Sequence, residues 1–255
     1  MQPTEPTKPI IVATIPCYNE EHYIADVVHR TKKYVDQVIV IDDGSQDNTL
    51  KVAQDAGACV IRSESNIGAG AATKSCFKAA KTHSADILVT LDGDNQHFPE
   101  EIPNLLAPIL SDDADLVIGT RFRGGVSNIP RYRKLGISLI TWLINIGSDV
   151  KISDAQSCFR AHNARLLENV NITDSGFGFS VQIIIEARRK GYRIMEVPIS
   201  CLYHPESSTM NPISHGLRVV LAVIKYRINP SGLTNKISYF ISMFRGRKKG
   251  EGSKS

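Results

Sequence analysis

The sequence predicts an α/β fold, a mostly parallel sheet flanked by helices, and three observations point there. Apolar runs of strand length alternate with segments of helical period. A length of 255 residues, 42% hydrophobic and 22% charged, suffices for the core of one large domain. The residues that follow the apolar runs are chemically unusual, and open α/β sheets collect ligands beyond the carboxyl ends of their strands.

Taken in order, Ile10 to Ile15 reads as a strand, Glu20 to Val35 as a helix and Gln37 to Ile41 as a second strand. Asp47 to Ala56 reads as a helix stopped by Gly57, and Ala58 to Arg62 as a strand. The alternation continues with a helix over Gly70 to Thr82, a strand over Asp86 to Leu91, a helix over Pro99 to Leu110 and a strand over Leu116 to Thr120. This alternation is the pattern of a mostly parallel sheet covered by helices. No repeat interrupts the pattern before the basic tail "RGRKKGEGSKS".

The formal charge of +4 and the pI of about 8.7 are too mild to imply a nucleic-acid partner. They favour phosphate-bearing ligands if the positive charge is clustered. Five scattered cysteines, Cys17, Cys59, Cys76, Cys158 and Cys201, include no C-x-x-C pair, which argues for reduced thiols in a cytoplasmic setting rather than disulfides or zinc. The opening "MQPTEPTKP" has no apolar core of a secretory signal, and no apolar run reaches the roughly 20 residues that span a bilayer. A soluble or at most surface-bound protein is expected.

Four polar stretches follow the apolar runs: "PCYNEE", "DDGSQDNT", "DGDNQH" and "RFRGG". In the third, Asp92 and Asp94 would point to one side of an extended backbone, with Gln96 in the same phase. Crowded carboxylates repel, and a divalent cation offsets that repulsion. All-oxygen donors suit Mg²⁺ or Mn²⁺, ions that leave positions open for phosphates. The alternative is an Asp-rich turn with Asx hydrogen bonds. "GAGAATKS", Gly68 to Ser75, falls one residue short of a phosphate-binding P-loop, because Thr73 stands where that loop needs glycine.

Together these stretches resemble the family 2 inverting glycosyltransferases of GT-A fold, and within them the dolichyl-phosphate and polyprenyl-phosphate sugar synthases. "IPCYNEE" is similar to the family's P-x-Y-N-E opening, "VIVIDDGSQDNT" to its D-D-G-S-x-D-x-T loop and "NIGAGAATKSC" to its N-x-G-x-G-x-A segment. "DGDNQHFPEEI" looks like its D-x-D-x-Q-H-x-P-E core, "GTRFRGG" like its G-S-R-x-x-x-G-G turn and "ISDAQSCFRA" like its D-x-x-S-G-F-R-A element. The similarity runs from about Ile10 to Pro212.

The resemblance implies that Pro16, Tyr18, Glu20, Asp43 and Asp92 bind the nucleotide of a UDP- or GDP-sugar. It implies that Asp92, Asp94 and Gln96 hold the metal and diphosphate, and that Arg121, Arg133 and Ser138 meet the acceptor phosphate. Asp94, Arg121 and Arg133 are the expected catalytic residues. Arginine suits phosphate because its fork donates bidentate, charge-assisted bonds; a surface salt bridge is its commoner use. Two departures stand out: Cys158 replaces the glycine of S-G-F-R, and His204 with Ser207, Ser208 and Thr209 replaces an arginine-bearing segment.

A sugar-hydroxyl acceptor would require a general base, for which Asp154 is the candidate. A phosphate monoester, already largely dianionic at neutral pH, requires none. The resemblance therefore implies direct displacement with inversion onto a polyprenyl (dolichyl) phosphate. Transfer to a saccharide hydroxyl, and a non-catalytic nucleotide-sugar-binding protein, are the alternatives. By region, residues 1–9 are expected to be flexible, 10–230 to form the GT-A domain and 250–255 a disordered tail. Residues 231–249 set Leu233, Ile237, Phe240, Ile241 and Phe244 at mostly helical spacing before Arg245 and Arg247. That pattern fits an amphipathic helix, either packed on the body or lying on the cytoplasmic face of a membrane as a peripheral anchor.

Overall fold

A computed structural model describes residues 8–124, 127–203 and 212–228. The expected amphipathic helix over 231–249, the 250–255 tail, most of the 1–9 segment and the stretch from His204 to Thr209 lie outside the described residues. Seven strands form one sheet: β1 (Ile11–Cys17), β2 (Gln37–Asp42), β3 (Cys59–Arg62), β4 (Ile87–Thr90), β5 (Leu116–Thr120), β6 (Arg160–Asn163) and β7 (Ile194–Pro198). Their order is β3-β2-β1-β4-β6-β5-β7. Every pairing is parallel except those of β6, which runs antiparallel to both β4 and β5.

The first five strands are where the apolar runs predict them, and their alternation explains why the runs are continuous. Val12, Ile39, Ile41, Leu88, Leu116 and Ile118 face one core. Ala13, Ile15, Val38, Val40, Val89 and Val117 face the other, so both sides of the sheet are buried. The first core is covered by α3 (Ala69–Thr82), α5 (Arg131–Asn145), α6 (Ala164–Asn169), α7 (Phe179–Arg189) and α8 (Pro212–Ile228). The second is covered by α1 (Ile24–Thr31), α2 (Thr49–Asp55) and α4 (Ile102–Leu110).

Two expected helices are shorter than their periodicity suggests. The segment expected from Glu20 is helical only from Ile24, because Asn19 takes a left-handed backbone (φ 58°) and the Glu20 amide donates to Thr49 Oγ1 at 2.7 Å. The segment expected from Asp47 begins at Thr49, whose amide and hydroxyl both donate to Asp47 Oδ1. Pro99 opens a 3₁₀ turn ahead of α4.

The antiparallel strand β6 escapes a hydropathy reading because three of its four residues are polar. Arg160 is fully buried and donates to the carbonyls of Ser157, Ala155 and Ser180, at 2.7, 3.0 and 3.0 Å. His162 packs edge-on against Phe77. Because β6 starts opposite the end of β4 (Thr90 beside Arg160), it delivers Ser157 and Cys158 to the same sheet edge as the loops after β1, β2 and β4.

Candidate active site

The loops after β1 and β2 are laced into one wall. The Asn19 amide donates to Ser45 Oγ at 2.9 Å, and the Gln46 amide returns a bond to Asn19 Oδ1 at 2.8 Å. Asp43 is buried, and its two oxygens accept the amides of Ile67 and Gly68 at 3.0 and 2.9 Å. Gly44 is obligatory: at φ +75° an added Cβ would lie 2.6 Å from the Ser65 carbonyl carbon. On this wall Tyr18 is exposed, while Pro16 and Glu20 are half-buried.

Asp92 and Asp94 follow β4 on the same edge. Asp92 is partly exposed, and burial together with the Asp94 carboxylate pushes its pKa up to about 7 despite Arg121 and Arg160. Burial, then Asp94 and Asp92, push Glu20 up to about 8. The three carboxylates therefore converge on one region of unfavourable negative potential, the condition a divalent cation relieves. His97 Nδ1 lies 3.8 Å from Asp92 Oδ2, is buried and has no hydrogen-bond partner. Burial and then Arg121 lower its pKa to about 3, so the ring is neutral.

Among the described residues no three His, Cys, Asp or Glu side chains form a self-sufficient metal cage. Two carboxylates with ligand positions left for phosphate oxygens are the usual arrangement for Mg²⁺ at a phosphate site, so the donor set fits. Gln96, expected to add a carbonyl ligand, is hydrogen-bonded to Asp94. Its Nε2 donates to Asp94 Oδ2 and its amide to Asp94 Oδ1 at 3.2 Å, which orients Asp94. The loop is held from outside by Arg30, which donates to Asn95 Oδ1 at 2.9 Å and pairs with Glu100.

Beyond Asp92, on the α5 side, lies a cavity of about 260 Å³ lined largely by apolar groups, including Gly136, Ile137, Ile140, Phe177 and Phe179. Its polar lining includes Arg121, Arg133 and Tyr203. Arg121 forms a bidentate pair with Asp154, at 2.7 Å from Nε and 2.8 Å from Nη2, and its Nη1 donates to Tyr203 OH at 2.5 Å. The Arg133 guanidinium lies over the Tyr203 ring, 5.2 Å from its centroid. Tyr203 thus bridges the two arginines. Nothing in its own sequence context announces that role.

Asp154 is completely buried and accepts the Arg121 and Gln156 amides in addition to the guanidinium. Burial raises its pKa, but Arg121 outweighs burial and holds it below the usual carboxylate range. A carboxylate so engaged is not available as a general base. Ser138 is separated from the other expected acceptor residues. Five residues past Arg133 it lies about 140° round α5, in a shallow depression with Trp142 and Lys151.

Cys158, the side chain gained at the glycine position, stands between that cavity and a second of about 210 Å³ that reaches Pro16, Phe77 and Asp92. Its thiol donates to the Gln156 carbonyl at 4.0 Å. Its carbonyl accepts from Thr90 Oγ1 at 2.7 Å, and burial, then Asp92, raise the thiol pKa. All five cysteines are free.

The family described as Glycosyl transferase family 2 matches residues 13–184. A UDP-N-acetylglucosamine–dolichyl-phosphate N-acetylglucosaminyltransferase of Methanococcus voltae is 32% identical over 219 residues, covering 76% of this chain and 86% of the relative. A polyprenol monophosphomannose synthase of Mycolicibacterium smegmatis is 31% identical over 218 residues, covering 78% of each chain. Among solved structures, glucosyl-3-phosphoglycerate synthase from Mycobacterium tuberculosis, in complex with Mn²⁺, UDP-glucose and phosphoglyceric acid, superposes with a TM-score of 0.66 at 23% identity. It covers 86% of this chain and 79% of that one, and its likeness is one of fold.

Proposed function

Because the chain belongs to glycosyl transferase family 2, we propose that it transfers a sugar from a nucleoside-diphosphate sugar to a polyprenyl (dolichyl) phosphate, with inversion at the anomeric carbon. The observation that carries this reading is the largely apolar cavity beside Asp92, with Arg121, Tyr203 and Arg133 in its wall and no free base among the described residues that line it. The relatives named above, which act on dolichyl phosphate or polyprenol by their names, support the same acceptor class.

The residues divide the work by charge. Tyr18, Pro16 and Glu20 face the nucleoside, and Asp43 shapes the loop at Ile67 and Gly68 that bounds it. Asp92 and Asp94 hold Mg²⁺ or Mn²⁺, with Gln96 orienting Asp94. When bound, the ion neutralises the diphosphate and stabilises it as a leaving group. Arg133, with Arg121 behind it, holds the acceptor phosphate; a phosphate oxygen then forms the new bond to the anomeric carbon. The bond from that carbon to the diphosphate breaks, and the nucleoside diphosphate departs with the electron pair. No proton moves, so Asp154 is free to serve as the fixed counter-ion of Arg121.

A lipid acceptor would bring the protein to a membrane surface, peripherally and on its cytoplasmic face. A panel of UDP- and GDP-sugars, offered with a short-chain polyprenyl phosphate and Mg²⁺ or Mn²⁺, tests the reading. We expect one donor to be consumed and a sugar–phosphate diester to accumulate. Consumption only with a saccharide acceptor, or with none of the panel, overturns it.

A further inference from the structure

Strands β4, β5 and β6 together fix the backbone at Cys158. Thr90 Oγ1 donates to its carbonyl at 2.7 Å, and Arg160 holds the carbonyls of Ala155 and Ser157, just before it in the chain, at 3.0 and 2.7 Å. The next carbonyl, of Phe159, accepts the Gly119 amide at 2.9 Å. With the chain pinned on both sides, the Cys158 side chain keeps its place. It stands half-buried between the acceptor cavity of about 260 Å³ and the inner cavity of about 210 Å³, and with Phe177 and Phe179 it belongs to both walls.

The inner cavity suits a particular kind of group. Its lining is mostly apolar, from residues such as Ala69, Cys76, Phe77 and Ile183. Arg160 directs a donor from each of its three nitrogens to a carbonyl, and the Thr73 and Thr90 hydroxyls also donate to carbonyls. His162, which lines the same cavity, is fully buried. Its Nδ1 faces the Leu88 carbonyl at 3.4 Å, which places the proton there and leaves Nε2 an acceptor without a partner among the described residues. An apolar pocket with an unmet acceptor fits a small substituent that pairs carbon with an N–H, such as an acetamido group.

In-line displacement puts the anomeric carbon between the donor diphosphate, at Asp92, and the acceptor phosphate, at Arg121 and Arg133. Cys158 stands in that interval, because it lines the arginine cavity and closes off an inner cavity that reaches Asp92. On a hexose, the substituent nearest the anomeric carbon is the one at C2. A C2 hydroxyl clears the thiol, whereas a C2 acetamido group has to pass it to reach the inner cavity.

We propose that Cys158 is a specificity-determining residue: by closing the inner cavity it selects donors with a small C2 substituent against N-acetylhexosamines. The proposal rests on the reading of the chain as a nucleotide-sugar transferase and extends it to the class of sugar.

UDP-glucose and UDP-N-acetylglucosamine differ in the substituent at C2 and make the test pair. Their affinities are measured by calorimetry with Mn²⁺ for the full-length parent, Cys158→Gly and Cys158→Ser, and their kcat/KM values with a short-chain polyprenyl phosphate. We expect the parent to favour UDP-glucose by at least about tenfold, and Cys158→Gly to lower that preference by about tenfold or more through better use of the acetamido sugar. Cys158→Ser, nearly the same size, should keep the parent's preference. If Cys158→Gly does not fold, Cys158→Ala, which keeps Cβ and removes the sulfur, should shift the preference in the same direction.

An unchanged preference in the folded small-residue variant overturns the proposal, as does a parent that prefers the acetamido sugar or binds neither donor. Equal loss of both affinities would mean that Cys158 only supports the fold, and overturns it too. Absence of turnover with either donor, with the calorimetric shift in preference intact, would sink the acceptor reading and leave the role of Cys158 standing.

Discussion

The loops after β1 and β2 are tied to one another by side-chain-to-amide bonds, Asn19 to Ser45, Glu20 to Thr49 and Gln46 to Asn19, each between 2.7 and 2.9 Å. The flank formed by α5 and α8 is built differently. It combines helix faces, one buried ion pair and a tyrosine from a distant loop around a cavity of about 260 Å³. The donor wall is thus rigid and preformed, fixed by polar contacts over short loop distances. The acceptor flank leaves apolar surface uncovered, as expected of a site whose substrate arrives from another phase. On the proposed reading, recognition of the nucleotide and capture of the acceptor are therefore separable.

The largest effect should come from the pair that underlies the acceptor flank. Replacing Asp154 with Ala strands the buried Arg121 guanidinium, and we expect a loss of about 3–5 kcal/mol in denaturant-measured stability. Full stability with selective loss of turnover would instead restore Asp154 as a base. At the donor wall, Asp94→Asn should lower kcat by on the order of 10²–10³-fold with an unchanged thermal unfolding midpoint. Undiminished turnover in excess chelator would contradict the metal assignment behind it.

Arg133→Ala is the sharper probe of separability. It removes a charge-assisted contact worth about 1.5–3 kcal/mol, so the acceptor KM should rise roughly 10- to 100-fold. Nucleotide affinity, measured by calorimetry, should stay within a factor of about two; equal loss of both affinities would mean that the halves are coupled.

The smallest effect concerns the seam between the halves. Burial, then Arg160, lower the His162 pKa to about 3 from an ordinary 6.5. Between those values the unfolded chain binds a proton that the folded chain refuses, so stability falls as pH drops below 6.5. Below pH 6 the slope from His162 approaches about 1.4 kcal/mol per pH unit. His162→Leu should flatten the acid limb by about that slope, and an unaltered limb would mean that His162 protonates in the folded state.

The same contrast explains what could be read from the sequence. The first five strands and the donor loops are legible because their determinants are local: continuous apolar runs, then short motifs such as "DDGS" in which Gly44 admits a close chain approach. Helix starts were misplaced at Glu20 and Asp47 because those residues serve the loops first. Strand β6 was illegible because buried Arg160 and His162 read as surface residues until their partners on other segments are known. Arg121 and Arg133 could be named, but not the Asp154 and Tyr203 contacts that give them their geometry, which span 33 and 82 positions for Arg121. Ser138 joins the acceptor group only through the family resemblance, and the helical rotation of α5 sets it in a separate depression with Trp142 and Lys151.

The central claim is that the acceptor atom is a phosphate oxygen that needs no general base. The most direct measurement offers the enzyme, with its preferred donor and Mg²⁺, a short polyprenyl phosphate and the matching polyprenol in separate reactions, and identifies the products by mass spectrometry and anomeric NMR. The account predicts a single sugar–phosphate diester of inverted configuration from the phosphate and no product from the alcohol. Transfer to the alcohol, or a retained anomeric configuration, would contradict it.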